Sequence, residues 1–100
     1  DYADNIYWVF GIVLKDPDRS ADEIMKKLED KGIGTRHFFY PIHKQPALIK
    51  EGCCKAEYLD DVQFINSNYI CEHGFYIPSG LGLTLEEQKY VVDSLKAIIA

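Results

Sequence analysis

"GIGTRHFFYPIHKQP", residues 32–46, decides how the rest of the chain is read. Its first part, "IGTRHFFY", gathers β-branched and aromatic residues in a strand pattern, and Pro41 closes it. A proline ring supplies no N–H to a ladder and disfavours helix at the preceding Tyr40. The chain is therefore expected to leave a sheet at Pro41 and continue as a loop. On the N-terminal side Gly32 is a natural helix stop, and Ser20 with Glu23 three residues later makes a capping-box pattern ahead of Ile24, Met25 and Leu28 on one helical face.

Further upstream, "NIYWVFGIVL", residues 5–14, is nearly continuous in apolarity and rich in β-branched and aromatic residues, as expected of a central strand covered on both faces. Downstream the pattern is weak as far as Gln63, with short helices expected over residues 47–50 and 56–62. "GFYIPSG", residues 74–80, supplies a third short strand closed by Pro78 and Gly80. Thr84 with Glu87 repeats the capping-box pattern, and Leu85, Gln88, Val91, Val92, Leu95, Ile98 and Ile99 mark a terminal helix. The expected fold class is α+β: a small antiparallel or mixed three-stranded sheet with helices packed on one face.

One hundred residues make one domain, and a chain of this size buries roughly 60–70% of its unfolded surface, enough for one modest core. Eleven Lys and Arg against sixteen Asp and Glu give a net charge of −5, which argues against nucleic acid and anionic lipid as partners. The longest apolar stretch, residues 6–14, is too short to span a bilayer. Three cysteines cannot all pair and no N-x-S/T sequence occurs, so a reducing, cytoplasmic setting is expected. The chain opens at Asp1, without an initiator Met, and enters a strand-like run within a few residues, as expected of a segment of a longer polypeptide.

Residues 31–50 hold four Lys or Arg and two of the three histidines but no Asp or Glu, a local cationic window in an acidic chain. Arg36, with its planar fork of donors, and His43, just beyond the proline-forced exit, suit an anion-binding rim. The plainer reading makes Phe38, Phe39 and Tyr40 core residues with Arg36 and Lys44 solvated. Cys53 and Cys54 are adjacent and lack the C-x₂₋₄-C spacing of a zinc site, and nothing in the spacing joins a cysteine to His73 as a nucleophile pair. Gly80-Leu81-Gly82 and Gly32-Ile33-Gly34 lack the third glycine of a dinucleotide fingerprint, with Leu85 and His37 at that place, and read as tight turns.

Taken together, "NIYWVFGIVL", "GIGTRHFFYPIHKQP" and "GFYIPSGLGLT" before a capped terminal helix resemble the C-terminal segment of the perosamine-synthetase-like nucleotide-sugar aminotransferases, the DegT/DnrJ/StrS family. The resemblance covers the chain from about Asn5 to its end, with two departures: Ile65 stands where the family often has proline after Phe64, and residues 51–63 match no family pattern. It implies that residues 1–100 are the small C-terminal domain of a fold-type-I aminotransferase, whose large domain, with the Schiff-base lysine and the pyridoxal 5'-phosphate site, is absent from this chain. No lysine here matches the Schiff-base motif, so no catalytic residue is assigned and no cofactor is expected on the chain alone.

Similar proteins are homodimers that move an amino group from glutamate to a keto sugar carried on a nucleotide diphosphate. By resemblance Tyr40 and His43 face the mouth of that site and contact the sugar or its phosphates, with Arg36 as a further contributor. The competing reading, from a different class, is a stand-alone regulatory or interaction module, since small α+β domains serve both ends and fold alone does not settle function. A small hydrolase using Cys54 or Cys71 with His73 is a third.

Overall fold

The computed structural model describes residues 2–53 and 63–100, in the order β1 (Phe10–Val13), α1 (Ala21–Glu29), β2 (Arg36–His37), a 3₁₀ turn (Ile42–Lys44), α2 (Pro46–Lys50), α3 (Ile65–His73), β3 (Gly74–Ile77) and α4 (Leu85–Ile99). The helix expected over residues 56–62 lies outside the described residues. The three strands form one antiparallel sheet in the order β1-β3-β2, with Ile12 opposite Phe75, and Gly11 and Arg36 flanking Tyr76 from either side. The α+β architecture with a small three-stranded sheet is as expected.

Alternation along β3 sorts the side chains. Phe75 and Ile77 point to one face, where they join Leu14, Ala21, Ile24, Leu28, Ile33, Val91 and Leu95 in the buried core. Phe75, Ile24 and Leu28 are fully enclosed. Removing side chains of this size from water stabilises the fold by about 1.5–3 kcal/mol each. Helices α1 and α4 supply Ala21, Ile24, Leu28, Val91 and Leu95 to that core, so they cover the same sheet face, and Leu14 and Ile33 join from the adjoining loops.

The expected caps are made, one of them only in part. Thr84 and Glu87 form the complete reciprocal box at α4, with the Glu87 carboxylate accepting from the Thr84 N–H at 2.8 Å and the Thr84 hydroxyl accepting from the Glu87 N–H at 3.2 Å. At α1 the Ser20 hydroxyl accepts from the Glu23 N–H, but the Glu23 carboxylate turns outward to Lys27 at 2.5 Å. A lysine one turn further along competes for the carboxylate and takes it. Gly32, at φ 74°, ends α1 in a Schellman turn: its N–H donates to Glu29 and that of Ile33 to Leu28. The far end of α4 is held by Arg19, whose guanidinium donates to the carbonyls of Ile98 and Ile99, both at 2.7 Å.

Two strand expectations need correction. The run at residues 5–14 is not a central strand: only Phe10–Val13 is extended, at an edge, and Phe10 and Val13 are exposed. Tyr7 sits at φ 52°, its N–H bonded to the Asn5 side chain, and that left-handed turn breaks the strand before it starts. The middle place belongs to β3, whose short sequence is buried throughout except at Tyr76. Likewise "IGTRHFFY" pairs only through Arg36 and His37 before the chain lifts off the sheet.

Phe38 explains where it goes. Its ring lies over the second sheet face, 4.4 Å from the Tyr76 ring by centroids, and over the backbones of Gly11 and Gly74. A Cβ on Gly11 would stand 2.7 Å from this ring, and one on Gly74 would collide with both the ring and the Ile70 carbonyl.

Gly74→Ala should therefore cost about 1–3 kcal/mol in urea unfolding. Gly34→Ala, where a Cβ meets open space, should stay within about 0.5 kcal/mol of the parent. The backbone and hydroxyl of Thr84 hold the Glu87 carboxyl below the ordinary carboxylate range. A depressed folded value means that the cap's contribution is complete above the unfolded pKa and is lost as pH falls through the folded one. Glu87→Gln should flatten that part of the acid side of a plot of urea midpoint against pH.

Candidate functional site

The segment from Arg36 to Gln45 is built as an anchored strap. Phe38 pins one end to the sheet, and the buried Pro41 turns the chain into the 3₁₀ turn that carries His43. The Gln45 side-chain amide donates to the Tyr40 carbonyl at 3.1 Å and so closes the turn.

The three residues expected to meet a ligand are placed in different ways. Arg36 is exposed on β2, and its guanidinium has no partner among the described residues. Tyr40 is 53% exposed, and its hydroxyl likewise has no partner among them. His43 is turned inward at 7% exposure and stacks on Phe64, centroids 4.3 Å apart and planes 21° from parallel. Its Nε2 is enclosed, with no hydrogen-bond partner among the described residues. A buried, unsatisfied polar atom costs about 1–3 kcal/mol, a cost that apolar packing alone gives no reason to retain.

Among the described residues Arg36 and Tyr40 thus offer free donors at the surface while His43 holds an unused nitrogen just beneath. The cationic window is less uniform in space than along the chain, because α1 brings Asp22 to 3.4 Å from His37 Nε2. Neither Asp22 nor Phe64 is signalled by the local pattern around residues 35–46. Both arrive through tertiary contact, and only the richness in aromatic residues hints that a histidine would find a ring to stack on.

Of the other candidates of the sequence, His73 is otherwise engaged. It shares its Nδ1 with the Arg19 carbonyl at 2.8 Å and packs against Tyr69, whose hydroxyl donates to the Leu14 carbonyl. Burial, and then the neighbouring Glu72 charge, push the Cys71 thiol up, away from the thiolate a nucleophile requires. Cys53 is exposed and free, and Cys54 lies outside the described residues. Among the described residues no three potential metal ligands stand together, and no helix is long and apolar enough to cross a membrane.

The fold and the strap define a class, a small α+β domain with an open, cation-bearing sheet margin. Residues 1–96 match the model of the DegT/DnrJ/EryC1/StrS aminotransferase family, and the chain belongs to that family. Among solved structures it is similar to the Streptococcus pneumoniae protein Spr1654, described as a sugar aminotransferase and solved in its PMP form. The match has a TM-score of 0.72 at 18% identity and covers 91% of this chain but 22% of that one, so the likeness is one of fold and the chain spans about a fifth of that protein. None of the curated proteins compared matches the chain.

His43→Phe keeps the stacked ring and removes the orphaned nitrogen. The variant should unfold at an equal or higher urea concentration than the parent, gaining up to about 1 kcal/mol; a loss larger than that would mean that Nε2 supports the fold.

Proposed function

We propose that residues 1–100 are the small C-terminal domain of a longer sugar aminotransferase, and that they supply part of its surface for a nucleotide-linked keto sugar. The observation that carries this reading is the family match over residues 1–96, set beside a solved neighbour of which the chain spans only 22%. In this reading glutamate is the amino donor, the working enzyme is a cytoplasmic homodimer, and the nucleotide-linked keto sugars that give products of the perosamine type are the substrate class to test first.

Pyridoxal 5'-phosphate chemistry needs a lysine amine held against the cofactor in a closed site. Among the described residues every lysine except Lys44 is exposed, and Lys44 follows buried His43 in a surface turn. These residues do not fit the cofactor, which in this reading is held by the rest of the enzyme.

What the chain itself contributes is recognition. The phenol of Tyr40 can donate to, or accept from, a sugar hydroxyl, and the Arg36 fork suits phosphate oxygens. His43 reaches a ligand only if its imidazole swings off Phe64, a movement that would relieve the buried nitrogen and replace its missing hydrogen bond. The rigid turn at Pro41 fixes the backbone from which both side chains project.

In the aminotransferase that carries this segment, Tyr40→Phe and His43→Ala should each raise KM for the nucleotide sugar roughly tenfold while KM for glutamate moves less than about twofold. Unchanged constants for both substrates in both variants would overturn the assignment.

A further inference from the structure

We propose that the sheet face opposite the helices carries a stacking site for the base of a nucleotide, walled by Trp8 and Phe39 and with Arg36 as its phosphate contact. The inference rests on the reading that the ligand is a nucleotide-linked sugar, and it adds where the base lies.

Trp8 and Phe39 stand 67% and 72% exposed, their rings 21° from parallel and 6.4 Å apart by centroids. Two rings that sandwich a third, each in carbon contact at about 3.5 Å, stand about 7 Å apart. The observed pair is therefore close to the spacing of an open clamp, and a small rotation of either exposed side chain makes room. Tyr76 forms the back of the clamp, meeting Phe39 edge-on at 6.2 Å. The same groove is lined by Thr35, Arg36 and His37 and by no carboxylate. Asp22 approaches the His37 of this lining, 3.4 Å from its Nε2.

Flat apolar walls beside a guanidinium that has no partner among the described residues, in a chain of net charge −5, match a ligand with a planar ring at one end and phosphate at the other. Base stacking on aromatic side chains tolerates any base, so the site selects nucleotides as a class. Phe39 and Tyr40 are neighbours in the chain, which lets a base in the clamp and a sugar at Tyr40 belong to one molecule.

Trp8 is the only tryptophan of the chain, so its emission reports on the clamp alone. UDP and GDP should each quench it saturably, while inorganic pyrophosphate leaves it unchanged. Arg36→Gln, at an exposed position, should raise the Kd of both nucleotides roughly tenfold without changing the quenching at saturation. Absence of saturable quenching by either nucleotide, or equal Kd values with and without Arg36, would overturn the proposal. So would a change of emission that depends on protein concentration and needs no nucleotide, which would mean that a second copy covers the clamp. If a nucleotide sugar shifts the ring resonances of Tyr40 and His43 while Trp8 is silent, the substrate reading stands and the base site fails; silence at all three rings would remove both.

Discussion

The Phe38 ring resting on bare backbone is the contact on which the candidate site depends. Two strands, β1 and β3, each present a glycine to it, and only without side chains at Gly11 and Gly74 can an aromatic ring lie so low across the sheet. That contact ends β2 after two residues and sets the height at which the chain crosses to Pro41. From there the positions of its neighbours follow. Phe39 and Tyr40 are lifted to the surface, and His43 is folded back against Phe64. Replacing either glycine would move the recognition surface before it touched the core.

The two faces of the sheet are used differently. One is closed by α1 and α4 around Phe75, with caps at the helix starts and Arg19 fastening the end of α4. Its interactions are those of a stable domain and say little about activity. The other face carries exposed aromatic rings and, among the described residues, an arginine without a partner and a buried imidazole nitrogen without one. Each of those is unfavourable or neutral for folding, and their concentration on one strap is the physical basis for reading it as a recognition surface.

Much of the fold was legible because its signals are local. Ser20, Gly32, Thr84 and Pro41 act on their own neighbours, so capping, helix termination and the exit from the sheet could be read residue by residue. The strand order could not. An apolar run shows that a segment has apolar side chains, not that this chain covers them: residues 5–14 outrank "GFYI" in apolar length, yet the shorter stretch takes the middle of the sheet. At the site, the local pattern left Tyr40 open between core and rim, and the plainer reading of Phe39 and Tyr40 as core residues fails because the strap lifts both off the sheet into exposure. The burial of His43 was not legible, because its partner Phe64 lies 21 positions away in a segment with no strong pattern.

The most direct test of this account is a crystal structure of a nucleotide-sugar complex of the full-length protein that the account proposes for this chain. The account predicts Arg36 and Tyr40 within hydrogen-bond distance of the ligand, the His43 imidazole turned off Phe64 toward it, and Phe38 unmoved over Gly11 and Gly74. A ligand contacted by none of residues 35–46 would contradict it and return the strap to a purely structural role.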